Sequence, residues 1–370
     1  MSVPSGPFSS GPRRRLQATA ALSTLAALLL VVPLGIRVLS AWHGGPELPP
    51  SYLPALEGPR ARQATFEATR ISDLQRLNPG YVVIGDSMAG TRIDERRLGE
   101  LSGTPVAPLL QAGSGSAFWY LALKNWVIAS GIKPRVVFIF FRDTNLTDVM
   151  FRLDEQFRWS LDLAAGERED ELNAAIAART DRPYYRIHSL LDRVYEADRA
   201  RTWIEPAVAN WPARTIVPSR RRRDEFRTAL NERFGLDHLR PMEAADMQTA
   251  EDRLADFDRY VNESVLPLML RDANRAGLKL CFVRVQRRPV GGQPPEQSPA
   301  LRRYVNELGS YLMRNSAEFR DDTGDPSLTL DMYEDGDHIA RPARRRYTEI
   351  LFERLPHLFV YPIAPGGPSR

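Results

Sequence analysis

The chain has one cysteine and five histidines among 370 residues. A lone Cys281 excludes an internal disulfide. It lies in the apolar run Leu278–Val285, which predicts a buried, inert thiol. The histidines never pair at the helical spacing of metal ligands, so with one thiol there is no metal-binding framework. No Gly-rich loop precedes a Lys-Ser/Thr pair, which excludes a P-loop for nucleotide phosphates. No cofactor is expected. Internal repeats are absent, as are low-complexity tracts outside one Pro- and Gly-rich stretch near the N-terminus. Excess charge is also missing from most of the molecule, although the net charge is +4. Four of the 50 basic residues (Arg13, Arg14, Arg15 and Arg37), and none of the 46 acids, lie in residues 1–42. The remainder therefore balances at 46 of each. A neutral domain has no long-range attraction for polyanions, which argues against a nucleic-acid partner.

What is present is enough for a sizeable core, in one large domain or two. Hydrophobic residues make up 43% and charged residues 26%, the proportions of a folded globular protein rather than a disordered one. Arg13–Arg15 precede an almost uninterrupted apolar stretch, Leu16 to Ile36, about the 20 residues a helix needs to cross a bilayer. Basic residues before the span predict an inside N-terminus. Residues 1–42 thus read as a cytoplasmic tail and single-pass membrane anchor, with everything after Trp42 outside the cytoplasm, in the periplasm of a bacterial-type cell. Two rivals stay open: a cleaved signal peptide ending near Leu39-Ser40-Ala41, and a twin-arginine signal at Arg13-Arg14-Arg15-Leu16. Residues 43–61 read as an extended stalk, dense in Pro and Gly.

From residue 62 to about 365 strands and helices alternate. Tyr81–Gly85, Val106–Leu110, Val136–Phe141 and Leu278–Val285 read as strands, the first a β-branched run of the kind found in buried parallel sheets. Helices are predicted over Asp94–Leu101, Ala117–Ser130, Ala250–Ala276, Leu301–Asn315 and Pro342–Leu355. Such alternation predicts a three-layer α/β domain around a parallel sheet. Leu146–Met247 is too long for a structureless loop and reads as a mostly helical insertion. Within it, Arg220–Arg223 reads as a solvated helix face, with an anion site as the alternative. Phe118-Trp119-Tyr120 reads as helix-to-sheet packing, with a sugar platform as the alternative.

Gly85-Asp86-Ser87 follows the first strand directly. Strand C-termini are where parallel α/β sheets bind ligands, and backbone N–H groups there can hold a developing oxyanion. A serine needs a base to become nucleophilic at neutral pH. His43 is in the stalk, His188 and His238 lie in the insertion, and His357 follows Pro356 with no acid beside it in sequence. His338 ends Asp335-Gly336-Asp337-His338, in a polar loop before the last helix. Asp335, across a Gly turn, can accept the ring N–H and leave the other nitrogen for serine. Asp337 adjoins the ring but should point elsewhere.

Gly85-Asp86-Ser87 after strand one and Asp335-x-x-His338 before the last helix resemble the first and last sequence blocks of the SGNH (GDSL-like) hydrolases. The resemblance covers the start and end of the domain. It implies an SGNH, flavodoxin-like fold, a Ser87–His338–Asp335 triad, and an oxyanion hole completed by a Gly after strand two and an Asn after strand three. Ala112-Gly113-Ser114-Gly115 supplies the Gly, as Gly113 or Gly115. The third block departs from the family pattern: Arg142-Asp143-Thr144-Asn145 puts Asn145 two places late. That departure is similar to the envelope branch of the superfamily, alginate-acetylation-type proteins among them. There, domains on a single N-terminal span work in O-acylation of surface polysaccharide, often beside a multi-spanning membrane acyltransferase. The resemblance implies serine-dependent acyl transfer, of acetyl above all, to or from envelope carbohydrate. A plain esterase or deacetylase with the same triad remains an alternative, as does a non-catalytic partner that binds glycan or a membrane acyltransferase.

Overall fold

The computed structural model describes residues 65–153, 155–166, 168–180, 254–289, 293–294, 296–334 and 336–359, with isolated positions at 23, 24, 27, 31 and 53. The expected anchor and stalk lie outside the described residues except for those isolated positions. Among the described residues no helix is long and apolar enough to cross a membrane. The chain divides into two compact units. One comprises Met1–Ser51, Glu57–Ala61 and Pro183–Phe226. The other, which holds the sheet, comprises Tyr52–Leu56, Arg62–Arg182 and Arg227–Arg370.

In chain order the elements are α1 (Thr69–Leu77), β1 (Tyr81–Gly85), α2 (Ser87–Arg92), α3 (Glu95–Ser102), β2 (Val106–Leu110), α4 (Ser116–Ala122) and β3 (Val136–Phe141). Then come α5 (Glu155–Ala164), α6 (Asp170–Thr180), α7 (Phe257–Val261), α8 (Leu266–Ala276), β4 (Leu280–Arg284), α9 (Pro299–Arg314), β5 (Glu318–Asp321), α10 (Arg344–Arg354) and α11 (Pro356–Phe359). All five strands are parallel, in the order β2-β1-β3-β4-β5. That is the flavodoxin-like order, with its topological switch between β1 and β3.

The three central strands are buried along their whole length. Their alternate side chains enter two separate cores, as a pleated strand requires. Val82, Ile84, Val137, Ile139 and Phe282 pack with α1 and with α4 through α9. Tyr81, Val83, Phe138, Phe140 and Val283 pack with α2, α3, α10 and α11. Helices therefore cover both faces of the sheet. Cys281 is fully buried in the second core, where burial pushes the thiol pKa far up. Pro108 sits in β2, an edge strand, where its missing N–H costs the sheet nothing.

Three sequence expectations need correction. Ala250–Ala276 is not one helix over its described part. Asp256 caps α7 by accepting from Arg259 N at 3.2 Å. Ser264 Oγ then accepts from Leu266 N at 3.2 Å, and Pro267 can sit only near the start of the next helix. The helix expected over Ala117–Ser130 widens to a π-helix at Leu123–Ile128. The polar stretch after α9 contains β5, a charged edge strand. The described part of the expected helical insertion, residues 146–180, contains α5 and α6, and its Leu146, Val149, Leu161, Leu172 and Ile176 are buried in the first core.

Candidate functional site

Gly85 closes β1 because nothing larger fits: a Cβ there would stand 2.6 Å from Ala89 Cβ and 3.3 Å from Phe140 Cβ. The chain turns at Asp86, which caps α2 by accepting from Met88 N at 2.8 Å. Ser87 is thus the first residue of a helix at the C-terminal end of the sheet. Burial raises the Asp86 carboxyl above its ordinary range, against the opposing pull of Met88 N–H, Arg152, Arg142 and Arg92.

His338 arrives from the other end of the chain on a closed loop. Glu334 N donates to His338 O at 3.0 Å, and Ala340 N to Met332 O at 2.7 Å. Gly336 at the tip has φ +46°, the left-handed backbone that such a tight reversal requires. His338 Nε2 then stands 3.0 Å from Ser87 Oγ, across 251 residues of sequence. With the ring proton on Nδ1, Nε2 accepts from the serine hydroxyl, the geometry of a nucleophile and its general base. Asp335 lies outside the described residues, as do His188, His238 and Arg220–Arg223. Asp337 does point elsewhere. Its Oδ2 accepts from Arg142 Nη1 at 2.9 Å and its Oδ1 from Arg288 N at 3.0 Å.

Gly113 and Gly115 sit in the loop after β2, which is laced to the turn that leads into Ser87. Gln111 N and Ser114 Oγ both donate to Gly85 O, at 3.0 and 3.3 Å, and Trp119 Nε1 holds Ser114 Oγ at 3.0 Å. Gly113 has φ +73°. A Cβ on Gly115 would stand 2.6 Å from Phe151 O. Asn145 is buried in the turn after β3, its N donating to Arg142 O at 2.9 Å. Since β2 and β3 flank β1, all three residues lie in the loops on either side of Ser87. Phe118, Trp119 and Tyr120 are buried, so the sugar-platform alternative fails for that cluster.

Sequence reasoning missed the arginines. Arg92, fully buried on α2, donates to Gln286 O at 2.8 Å and to Met88 O at 3.2 Å, tying the helix that Ser87 begins to the exit of β4. Arg142 follows β3 and grips the histidine loop through Asp337. Asp143, at φ +44°, is clamped by Arg284 at 2.5 Å and Arg287 at 2.7 Å. Burial alone would raise the Asp143 carboxyl, yet the two guanidinium groups hold it below its ordinary range. The only hint of these pairings was the density of Arg and Asp at strand ends. Among the described residues no cluster of His, Cys, Asp and Glu could hold a metal ion. No protein-family model matches the chain, and no curated protein matches it.

Proposed function

We propose that the chain is an SGNH-type serine enzyme that moves an acyl group, acetyl above all, to or from cell-envelope carbohydrate. The observation that carries this reading is the 3.0 Å approach of Ser87 Oγ to His338 Nε2 at the C-terminal edge of a parallel sheet. Ser87 Oγ attacks the ester carbonyl while His338 takes its proton. The alcohol leaves with that proton, and an acyl-Ser87 ester remains. A sugar hydroxyl or water then attacks, giving up its proton to His338, and Ser87 is restored. Asp335 is the orienter in this scheme, and N–H groups near Gly113, Gly115 and Asn145 hold the oxyanion. The apolar run Leu16–Ile36 supplies the membrane anchor that keeps the domain at the cell surface, beside a multi-spanning acyl carrier.

The test is labelling by a fluorophosphonate probe, followed by product counting. The full chain should be labelled at Ser87, and Ser87→Ala should not. With an activated acetyl ester and envelope oligosaccharides, acetylated sugar should form alongside acetate. Labelling with brisk hydrolysis and no acceptor product from several glycans would replace the transferase by an esterase. Absence of labelling would leave a binding partner instead of an enzyme.

A further inference from the structure

Around Ser87 the arginines differ in what they hold. Arg92 is bound to backbone oxygens, Arg142 to Asp337, and Arg284 and Arg287 to Asp143. Arg152, among the described residues, has neither a hydrogen-bond partner nor an ion-pair partner. Its guanidinium carbon lies 4.8 Å from the Phe151 ring centre and 5.1 Å from that of Phe157. These rings set its position and leave its N–H groups unspent. Its backbone is left-handed, φ +57°, an unfavourable conformation for a residue with a Cβ.

This head group is placed against the nucleophile's surroundings. Arg152 Nη1 stands 3.4 Å from where a Cβ on Gly113 would be, and Phe151 O presses on Gly115. Gly113 belongs to the loop whose Gln111 and Ser114 bind Gly85 O, two residues before Ser87. The charge of Asp86, next to Ser87, reaches Arg152, but among the described residues no carboxylate pairs with it. Half-burial lowers the guanidinium pKa, the direction expected of a cation short of a counter-ion. It remains charged nonetheless, since arginine does not deprotonate in proteins.

We infer that Arg152 is a specificity-determining residue that receives a carboxylate carried by the substrate of Ser87. Its flat fork of donors matches a planar, singly charged carboxylate through two parallel N–H···O bonds. The carboxylate belongs either to the acyl chain or to the alcohol side of the ester. The inference rests on the acyl-transfer reading above and names the kind of ester that this site prefers.

The experiment compares matched charged and neutral esters with the full chain. For the acyl side the pair is mono-4-nitrophenyl succinate and 4-nitrophenyl butyrate. For the alcohol side it is 4-acetoxybenzoate and its methyl ester. One charged ester should exceed its neutral partner in kcat/KM by about tenfold or more, and which pair does so locates the carboxylate. Arg152→Gln should bring that ratio to about one, while Arg152→Lys, which keeps charge without the fork, should leave an intermediate ratio. A ratio near one in the unaltered chain, or a preference that survives Arg152→Gln, overturns the inference. A second readout needs no turnover. Saturation-transfer NMR on the Ser87→Ala chain should detect succinate or 4-hydroxybenzoate, and the signal should vanish on adding Arg152→Gln. Absence of signal for both acids, or persistence without Arg152, overturns it too. Failure of Ser87 to react with any ester or fluorophosphonate would instead count against the acyl-transfer reading, with the NMR result still deciding the role of Arg152.

Discussion

Arg142 Nη1 donates to Asp337 Oδ2 at 2.9 Å, so the end of β3 holds the loop that presents His338. Both side chains are largely buried, at 11% and 16% exposure, so this pair is not screened as a surface ion pair would be. Arg142→Ala or Asp337→Asn should leave Ser87 in place but let His338 drift. A displacement of about 1 Å can cost about a hundredfold in rate. The rate of fluorophosphonate labelling should fall by about ten- to a hundredfold, with Arg142→Lys recovering part of it. Unchanged rates would show that the loop holds His338 without this grip.

Removing His338, the base of the proposed mechanism, should do more. His338→Ala should slow labelling of Ser87 by about a thousandfold, within the range general-base catalysis contributes. His238→Ala should leave labelling within about twofold, the small effect expected of a site outside the reacting pair. If His238 proved to be the silent-enzyme position, the pairing of Ser87 with His338 would not be the reactive one.

The glycines after β2 should resist substitution for different reasons. Gly113→Ala forces a Cβ onto a left-handed backbone and to 2.5 Å from Phe157 Cε1, a ring that can turn aside. Gly115→Ala meets Phe151 O, a backbone atom that cannot yield without moving its loop. Each should cost about 1–3 kcal/mol, the range for overpacking. Thermal melts would measure it. Gly115→Ala should also disturb turnover more, because the Phe151–Arg152 segment must shift.

Asp143 gives a stability prediction with a definite sign. Asp143→Asn removes the anion that Arg284 and Arg287 share, leaves the buried Arg284 with Asp321 alone, and should cost about 3 kcal/mol in urea denaturation at neutral pH. Because the folded carboxyl is held below its ordinary range, its contribution is present above the unfolded value near 3.9. It is lost as pH falls through the lower, folded value. Asp86, raised by burial, works in the opposite direction in both proteins, so the comparison must be between variants. The gap between the parent and Asp143→Asn should narrow as pH falls below about 4. A constant gap would mean that the charge of Asp143 is not what stabilises.

The architecture was legible where burial is strong and simple. Tyr81–Gly85 and Val136–Phe141 announce themselves as strands because both faces are apolar, and only parallel central strands demand that. Glu318–Asp321 did not, because an edge strand carries Glu, Arg and Asp at little cost and Lys279 pairs with Glu318. Ser87 and His338 stood out because one lies just past the end of a strand and the other is among five histidines. The pairing of Arg142 with Asp337 was illegible for the opposite reason. In a chain with 50 basic and 46 acidic residues, a pairing across 195 positions leaves no local mark. His357 likewise has Glu318 at 3.6 Å, an acid far away in sequence.

Helix α10 reaches back to the start of the domain. Asp94 N donates to Thr348 Oγ1 at 2.8 Å, Arg97 pairs with Glu349 at 2.7 Å, and Arg344 donates to Ile93 O at 2.5 Å. Synthesis runs from the N-terminus, so residue 87 leaves the ribosome long before residue 338. Until those last helical turns dock, the serine exists without its partner and is as inert as any surface hydroxyl. Chains cut short before His338 should therefore be blind to fluorophosphonate however much of the sheet they form. In a refolding time course, labelling should appear last, after the strands have paired. On the proposed reading, reactivity is thereby a clock for the completion of the fold, since Ser87 gains its base only when the segment that carries His338 has docked.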